Sequence, residues 1–426
     1  MPITHDKLLS TVKLGKSTAP GKDDITYDIL NALLEVKVDN PILDLFNMSL
    51  TAGKLPHSWK TAIIIPIPKG DGTFRPISLT SYLCKMMERV ILNRLIYKVG
   101  HVLSGNVHGF LKGQSTSHCF VECLINKDAT CRAFIDLKGA FDRANKDVIM
   151  EEFILKGVKG RLLGWIRNYL YNRTAQVWFP GAVSSEEVFE LGTPQGGVLS
   201  PMLFNVLMDK IARCSFPQGT QVLIYADDIL LQCPTPRVLP LTLSQLAALC
   251  VQMELVINEC KTKFQAKGKV SRPPTVNNVP IPRIHTHKYQ GVQMSFRKSL
   301  QAVHYVQDLC LPQLAPLQLL ANRGLGAGIP VLRMFYISVI WSLIDYAAPV
   351  LIQFSATQLC PLELVQNEAM WIILGCPRTA QIEVLRAELH LPSIMCRIQE
   401  ITCRTVSRML CTGFDSLKGS LTPPVS

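Results

Sequence analysis

Two adjacent carboxylates lie in the segment Tyr225-Ala226-Asp227-Asp228, between two apolar runs at residues 222–224 and 229–231. Asp is disfavoured inside strands and favoured in turns, so the pattern predicts a β-hairpin that carries both acids at its tip. Two like charges held this close repel each other unless a cation lies between them. Hard carboxylate oxygens suit Mg²⁺ and Mn²⁺, so the pair is a candidate metal site, with a solvated turn as the alternative.

A third carboxylate, Asp136, follows residues 131–135, a short apolar run that is typical of a strand. If this strand lies beside the hairpin, the three carboxylates converge. A centre with two metal ions can activate an attacking oxygen and stabilise a leaving oxygen, which is the chemistry of phosphoryl transfer. The three acids therefore predict a phosphoryl-transfer site that holds two Mg²⁺ ions, with Mn²⁺ as a substitute.

The surrounding elements alternate between strands and helices, which predicts an α+β fold. Residues 62–69 form an apolar run that ends in prolines and predict a strand. Apolar residues between Tyr82 and Leu95 recur at helical spacing, with charged residues on the other face, and predict an amphipathic helix. Residues 161–170 predict another helix.

A further helix is predicted to begin at Ser200 as the N-cap, with Pro201 as its first helical residue. The glycine-rich residues 192–197 precede it, and such loops let the backbone approach a ligand closely. Residues 267–282 are polar and rich in proline, which predicts a loop. The rest of the chain is rich in Leu and is predicted to be mostly helical.

Composition agrees with a folded protein that binds a polyanion. The chain has 426 residues, 48% of them hydrophobic, and a formal net charge of +12, so it can bury a substantial core and attract phosphates. The N-terminus lacks the pattern of a secretory signal, so an intracellular protein is expected. The apolar stretch 331–354 is interrupted by Arg333 and Asp345, which favours a buried helix over a membrane span, and no membrane partner is expected.

The acids belong to a longer ordered series of motifs. In chain order the series comprises STAPGKD at 17–23, RPISL at 75–79, Gly109-Phe110, GQST at 113–116, FID at 134–136, AFD at 140–142, GTPQGGVLSP at 192–201, YADD at 225–228, LVIN at 255–258 with Lys261-Thr262, YQGV at 289–292, and QNE at 366–368 with ILG at 373–375. This series resembles the core motifs of reverse transcriptases, in particular those of non-LTR (LINE-type) retrotransposons. The shared order of so many motifs argues against coincidence.

The resemblance implies a right-hand polymerase fold with an antiparallel palm sheet that carries the acidic triad. We expect fingers and the start of the palm at residues 1–130, the palm at 131–265 and a palm–thumb joint at 266–295. Residues 296–426 would form a helical thumb and connecting region. The implied activity is RNA-directed DNA polymerisation, with an RNA template, a DNA primer and dNTPs as partners.

The resemblance also assigns the acids. Asp136 and Asp227 are expected to hold both metal ions, because carboxylates on neighbouring strands can bridge two cations about 4 Å apart. Asp228 is expected to be an auxiliary ligand, because adjacent residues on a strand or turn, here Asp227 and Asp228, point in different directions. Lys261 occupies the position of the family's lysine after the hairpin and is a candidate proton donor to the leaving pyrophosphate.

Several residues are expected to contact the incoming nucleotide. Arg75 and Lys69 are predicted to bind the triphosphate, and Arg75 is favoured because its planar fork binds phosphate bidentately. Gln195, with Gly196, is predicted to contact the nucleotide or the templating base. Phe141 would lie under the sugar and disfavour a 2′-hydroxyl, although a purely structural core phenylalanine is the alternative.

Three features keep other interpretations open. Asp24, Leu111 and Gln114 depart from the family pattern by replacing Gly and Arg near the expected template path. A decayed or domesticated copy could bind nucleic acid without polymerising, whereas an RNA-dependent RNA polymerase is disfavoured by Phe141 and Ala226. No endonuclease or RNase H set is evident, so the chain is expected to be a fragment or a truncated product.

Overall fold

The computed structural model describes residues 2–12, 19–35, 40–70, 72–270, 272–296, 299–322 and 326–411. Ser17 and Thr18 of the N-terminal motif lie outside these ranges. The helices are α1 (His5–Val12), α2 (Tyr27–Leu34), α3 (Pro41–Ala52), α4 (Tyr82–Val99), α5 (Thr116–Ile125), α6 (Ala140–Arg143), α7 (Lys146–Leu155), α8 (Gly160–Leu170), α9 (Ser200–Ala212), α10 (Leu239–Gln252), α11 (Gln301–Cys310), α12 (Leu314–Ala321), α13 (Ile329–Phe335), α14 (Ser342–Leu351), α15 (Cys360–Leu374), α16 (Ile382–Leu389) and α17 (Ile394–Cys411).

The strands alternate with these helices in the first two thirds of the chain, so the predicted α+β class is confirmed. They are β1 (Thr61–Pro68), β2 (Phe74–Leu79), β3 (Cys131–Ile135), β4 (Arg173–Phe179), β5 (Ala182–Val183), β6 (Glu187–Phe189), β7 (Gln221–Tyr225), β8 (Asp228–Cys233), β9 (Lys263–Ala266), β10 (Thr275–Val276), β11 (Val279–Pro280), β12 (His287–Tyr289) and β13 (Val292–Met294).

A first sheet contains the predicted strand at 62–69. β1 pairs antiparallel with β2, with Ile63 opposite Leu79, and parallel with β4. Its two prolines need no partner for an N–H group, which suits the end of a strand. The β1–β2 hairpin holds Lys69 directly after β1 and Arg75 on β2.

The second sheet, called here the central sheet, has the antiparallel order β7-β8-β3-β9. β7 and β8 form the predicted hairpin, with Tyr225 opposite Asp228. β3 pairs with β8 so that Ile135 lies opposite Ile229. Asp136 therefore follows β3 at the end of the sheet where β8 begins with Asp228, as the apolar runs predict.

Side chains on one face of the central sheet form three rows, because alternate residues of a strand face the same side. Leu223, Leu230 and Phe134 form the middle row and pack in a core with the C-terminal helices. The intervening residues of the same strands, such as Ile135 and Ile229, pack in a second core with α4, α8 and α9. The sheet is thus covered on both faces.

The two outer rows of that face are polar. Asp136 and Asp228 lie at one end, beside Asp227, and these three acids are called the acid end. At the other end the register aligns four polar side chains across the strands, of which three are buried and Gln221 is half-buried. This set, called the polar row, consists of Gln221, Gln232, Arg132 and Gln265.

The helix predicted from Ser200 begins one residue earlier than expected. Ser200 is already helical, and its Oγ donates to the carbonyl of Pro194 at 2.7 Å instead of capping the helix. The cap comes from Glu88 of α4, whose Oε2 accepts the N–H of Leu199 at 2.9 Å. A buried carboxylate at a helix N-terminus satisfies N–H groups that the helix itself leaves unpaired.

The predicted loop at 267–282 is also wrong in part, because it contains the short hairpin β10–β11. Its tip residues Asn277 and Asn278 have φ values of +50° and +64°, and Asn tolerates this left-handed region. A second short hairpin, β12–β13, turns at Gln290 and Gly291, with φ values of +46° and +82°. This second hairpin lies against the central sheet, since Tyr289 contacts Phe134 at 5.6 Å between ring centroids.

The described residues contain one helical stretch, Ile329–Leu351, that is long and apolar enough to cross a membrane by length and composition. Half of its most apolar window is buried inside the protein. Tyr336, Ile340 and Ile344 are completely buried in the core of C-terminal helices. The contacts fit the predicted buried helix.

Candidate active site

Asp136 is held at the end of β3 by the turn that follows helix α10. Its Oδ2 accepts from Asn258 Nδ2 at 2.9 Å, and its main-chain oxygen accepts the N–H of the same residue at 2.7 Å. Its N–H donates to Thr262 Oγ1 at 3.3 Å. These bonds hold the carboxylate in one orientation. The side chain would therefore lose little conformational freedom when it binds a ligand.

The tip of the β7–β8 hairpin is a two-residue turn at Ala226 and Asp227. Ala226 has a φ of +56°, an unfavourable value for a residue with a Cβ. The segment before α5 supports it: His108 N–H donates to the carbonyl of Ile224 at 2.8 Å. At Gly109 an added Cβ would lie 2.6 Å from the N atom of Ala226, so only glycine allows this close approach.

The two hairpin acids have raised pKa values. Burial of the carboxyl group, together with the negative charges of Asp227 and Asp136, raises the pKa of Asp228 to about 6. Burial and the charge of Asp136 also raise the pKa of Asp227, against the opposing charges of Arg75 and Lys69. The three acids therefore lie close enough to repel one another, and the two cations of the β1–β2 hairpin act on Asp227.

Asp228 has a partner that the sequence did not reveal. Its Oδ2 accepts from Gln290 Nε2 at 2.6 Å, at the tip of the β12–β13 hairpin. The main-chain oxygen of Gln290 accepts from Tyr346 Oη of α14 at 2.6 Å. Gly291 lies under the same ring, where an added Cβ would be 3.5 Å from Tyr346 Cε1. A C-terminal helix thereby fixes the residue that orients Asp228.

Gln195 and Lys69 meet at another carboxylate, Asp142. Gln195 Nε2 donates to Asp142 Oδ1 at 2.7 Å. Burial raises the pKa of Asp142, whereas the Gln195 bond and the charge of Lys69 lower it. The positive charge of Lys69, in the β1–β2 hairpin, thus lowers the pKa of both Asp142 and Asp227.

Gly196 lies where the glycine-rich loop passes over β2. Its φ is +111°, and an added Cβ would lie 2.9 Å from the carbonyl oxygen of Ser78. The carbonyl of Gln195 accepts the N–H of Ser78 at 2.7 Å. At the other end of the loop, Thr193 N–H donates to the carbonyl of Phe141 at 3.0 Å. The loop therefore joins β2 to helix α6.

Phe141 is half-buried on α6, between the loop and the hairpin support. Its ring stacks on Phe204 of α9 at 4.2 Å between centroids, and it meets the edge of Phe110 at 6.2 Å. Phe110 directly follows Gly109, which lies against the hairpin tip. One face of the Phe141 ring is thus fixed by packing, while part of the side chain remains accessible.

Lys261 is exposed and lines a cavity of about 330 Å³ beside the acid end. Asp136, Asp228, Lys263 and Gln290 line the same cavity. The structure therefore brings Lys261 close to two of the acids, whereas the charges of Arg75 and Lys69 act on the third, Asp227. Gln195 is connected to this region through Asp142, the residue after Phe141, on which Lys69 also acts.

The donor chemistry of the acid end fits a hard divalent cation, since carboxylate oxygens are the ligands that Mg²⁺ prefers. A cation would also relieve the repulsion that raises the pKa values of Asp227 and Asp228. As they stand, the side chains do not close around one ion: across the described ranges, no three His, Cys, Asp or Glu side chains are grouped to hold a metal. Asp136 and Asp228 each direct an oxygen to an amide instead.

Comparison with known proteins decides the family. The model of the family described as reverse transcriptase (RNA-dependent DNA polymerase) matches residues 67–294, more than half of the chain. The chain belongs to the reverse transcriptase family. The right-hand polymerase fold implied by the motifs is the fold of this family. The end of β1 with Lys69, all of β2, the glycine-rich loop and the acid end lie within the matched residues.

Curated reverse transcriptases of mobile elements match most of the chain. The probable RNA-directed DNA polymerase from transposon BS of Drosophila melanogaster is 26% identical over 96% of this chain and 48% of its own length. The RNA-directed DNA polymerase from mobile element jockey of Drosophila funebris is 25% identical, also over 96% and 48%. The chain thus spans about half the length of these relatives. The non-LTR resemblance is confirmed.

Among solved structures, the telomerase from Candida tropicalis in complex with the TWJ fragment of telomeric RNA matches with a TM-score of 0.46. It is 12% identical, and the match covers 90% of this chain and 68% of that chain.

Three residues of this reverse transcriptase site have contacts that their motifs do not predict. Asn258 belongs to the motif LVIN, Asp142 to AFD and Gln290 to YQGV. An amide beside a turn after an apolar run is a weak signal for Asn258. Nothing local marks Gln290, because its contact with Asp228 depends on how a separate hairpin packs against the central sheet.

Proposed function

We propose that this chain is the polymerase region of a non-LTR retroelement and copies an RNA template into DNA. The observation that carries the proposal is the convergence of Asp136, Asp227 and Asp228 at one end of the central sheet, opposite Arg75 and Lys69. Family membership supports the same reaction. The substrates are a DNA primer with a 3′-hydroxyl, an RNA template and dNTPs.

The chain would then consist of four regions, with the boundaries that the motifs predict. Residues 1–130 act as fingers and the start of the palm, 131–265 as the palm, 266–295 as the joint and 296–426 as the thumb and connecting region. The β1–β2 hairpin would then approach the incoming nucleotide from the fingers. The C-terminal helices would reach the site through Tyr346 and the β12–β13 hairpin.

Asp136 and Asp227 are proposed to hold two Mg²⁺ ions, for which Mn²⁺ can substitute, and Asp228 is an auxiliary ligand. When bound, these ions supply the charge that activates the attacking hydroxyl and stabilises the leaving pyrophosphate. Asp228 differs from Asp227 in its partners: it faces Gln290 and the cavity, whereas Asp227 faces the two cations. This difference supports the separate roles.

Arg75 and Lys69 are proposed to bind the triphosphate, since both side chains are exposed and act on Asp227. Arg75 offers the bidentate contact, and Lys69 a point charge. Gln195 and Gly196 are proposed to contact the nucleotide or the templating base from the glycine-rich loop. Lys261 is proposed to donate a proton to an oxygen of the leaving pyrophosphate.

Phe141 is proposed to exclude ribonucleotides. Its packing against Phe204 and Phe110 holds the ring in place, so a 2′-hydroxyl would meet a fixed apolar surface with no hydrogen-bond partner. We expect Phe141→Val to raise rNTP incorporation relative to dNTP incorporation by about tenfold or more. Equal use of both nucleotides by the unaltered chain would contradict this role.

Primer extension on an RNA template with Mg²⁺ and dNTPs tests the function. We expect extension by the unaltered chain and by Asp128→Asn, an exposed acid outside the site. Asp227→Asn should abolish extension and retain RNA binding. An unaltered chain that binds RNA but does not extend the primer would instead indicate a copy that binds without polymerising. RNA binding itself should weaken steeply with salt.

A further inference from the structure

A groove between α1, α4 and α8 has no role in the reaction described so far. It is a cavity of about 590 Å³ lined in part by Lys7, Asn93, Arg94, Tyr97 and Lys98, and it is called the α1–α4 groove. A smaller cavity of about 280 Å³ shares Arg94 with it. The residues that line either cavity are separate from those of the central sheet and of the proposed nucleotide site.

The charge of the groove has one sign. Lys7, Arg94 and Lys98 line the larger cavity and Arg161 the smaller, whereas no Asp or Glu lines either one. Within the described part of the chain, Lys7, Lys98 and Arg161 form no ion pair. Cations without acidic neighbours create a positive potential that attracts a polyanion.

Two half-buried arginines of the C-terminal helices show the opposite arrangement. Arg386 pairs with Glu363 at 2.7 Å, and Arg397 pairs with Asp345 at 2.7 Å. These cations are neutralised within the protein. Lys7, Lys98 and Arg161 of the groove therefore differ from these paired arginines.

An exposed aromatic ring stands at the edge of the groove. Tyr97 is 84% exposed, next to Ile96, which is 43% exposed. An aromatic residue on the surface of a helix usually packs at least in part against the protein, because the ring gains free energy from leaving water. Beside a row of cations, an open ring provides a platform on which a nucleic-acid base can stack.

We propose that the α1–α4 groove binds single-stranded RNA, as a second contact for the template outside the active site. The cations would bind its phosphates, and the ring of Tyr97 would stack on a base. Val90 and Leu162, which line the same cavity, would contact the apolar edge of the stacked base. An acidic protein segment would also satisfy the charge, but it would leave the exposed ring without a flat partner. The inference rests on the proposed function, since the occupant is the template of that reaction.

Binding to two RNAs tests the groove. The first is a primer–template duplex with a short overhang, and the second carries a long single-stranded template extension. We expect Tyr97→Ala to weaken binding to the long RNA about tenfold, and Tyr97→Phe to bind like the unaltered chain, because stacking needs only the ring. Binding to the short duplex should not change.

The charge contribution is tested with Lys7→Ala/Lys98→Ala. Its matched control is Lys127→Ala/Lys269→Ala, which removes two exposed lysines elsewhere. The groove variant should reduce the salt slope for the long RNA by about 1.4, that is about 0.7 for each of two phosphates, and the control should not. Thermal melting establishes that each variant is folded.

The outcomes separate this inference from the proposed function. Long-RNA binding by the groove variants equal to that of the unaltered chain would overturn the groove and leave the polymerase intact. Loss of binding to a polyglutamate peptide, without any loss of RNA binding, would also overturn it in favour of an acidic protein partner. Failure of the unaltered chain to extend a short template would overturn the polymerase, while the long-RNA result would still decide the groove.

Discussion

At one end of the central sheet, the side chains of the polar row satisfy one another. Arg132 Nε donates to Gln232 Oε1 at 3.1 Å, and Gln232 Nε2 donates to Gln221 Oε1 at 2.9 Å. Gln221 Nε2 in turn donates to Glu122 Oε2 at 2.6 Å. At the acid end of the same face, three carboxylates repel one another, and Asp136 and Asp228 each accept from an amide.

The apolar row of Leu223, Leu230 and Phe134 separates these two ends. Buried polar groups stabilise a fold only when their hydrogen bonds are made, and the polar row meets this condition for most of its atoms. The acid end lowers stability, because three like charges are held close together and the charges of Arg75 and Lys69 offset the repulsion at Asp227 only in part. Such local destabilisation is characteristic of sites that bind charged ligands. Mutation of the acid end should therefore leave the free energy of unfolding equal or higher, whereas mutation of the polar row should lower it.

Asp136→Asn should give the largest effect on activity. Removing one proposed metal ligand is expected to reduce primer extension on the order of a thousandfold or more. The free energy of unfolding should stay equal or rise, because one of three repelling charges is lost. Steady-state extension and thermal melting measure the two quantities. A large loss of stability would contradict the contrast between the ends.

Arg132→Met should give the largest effect on stability. The change leaves Gln232 Oε1 and the carbonyl of Cys123 without the donor that each has now, and we expect a loss of about 3 kcal/mol. Extension per folded molecule should be retained. The double variant Arg132→Met/Gln232→Leu should recover part of the loss, because both partners are then apolar. Denaturant unfolding of the unaltered chain, the single variant and the double variant measures the recovery. A double variant less stable than Arg132→Met would contradict the view that the polar row acts as a unit.

The acid end illustrates what sequence can predict. Alternating and continuous apolar runs predicted β1, α4, β3 and the β7–β8 hairpin, because local periodicity reflects burial. The family motifs then predicted which acids converge. The roles of the individual site residues stay predictions, because their tests are functional.

What escaped prediction depends on contacts between distant segments. Gln290 meets Asp228 only because the β12–β13 hairpin packs against the sheet, and Glu88 caps α9 from another helix. The start of α9 was misplaced for the same reason: a serine followed by proline is a good local cap signal, but the buried carboxylate took that role. Asp24 lies at a φ of +51°, which explains why glycine is common there.

Gln290→Leu should produce a smaller effect on the acid end. Loss of the amide donor frees the carboxylate of Asp228, and an outer hydrogen bond of this kind is worth about tenfold in metal affinity. Direct Mn²⁺ binding, measured by electron paramagnetic resonance, should weaken by that factor, and Tyr346→Phe should weaken it less. Gln301→Leu, at an exposed glutamine of α11, should leave Mn²⁺ binding unchanged. If Gln290→Leu behaves like Gln301→Leu while Asp227→Asn loses the metal, Gln290 has no orienting role.

The smallest expected effect is a pH dependence from Glu122, which accepts from Gln221 of the polar row, and from His108 beside it. Burial raises the pKa of Glu122 from 4.5 to about 8 and lowers the pKa of His108 from 6.5 to about 4. The two side chains lie 3.4 Å apart. Between pH 4 and pH 8 the folded protein therefore holds one proton on this pair, whichever residue carries it.

The unfolded chain also holds one proton on this pair between pH 4.5 and 6.5, on the histidine, but none above 6.5. The free energy of unfolding should therefore be flat in that interval and fall as the pH rises from 6.5 to 8, on the order of 1 kcal/mol. Glu122→Gln removes the titrating carboxyl, so it should abolish the fall, whereas Glu151→Gln at an exposed position should preserve it. Urea unfolding at a series of pH values measures the slope. A slope that persists in Glu122→Gln would mean that the proton is bound elsewhere, and Glu122 and His108 would then not be its source.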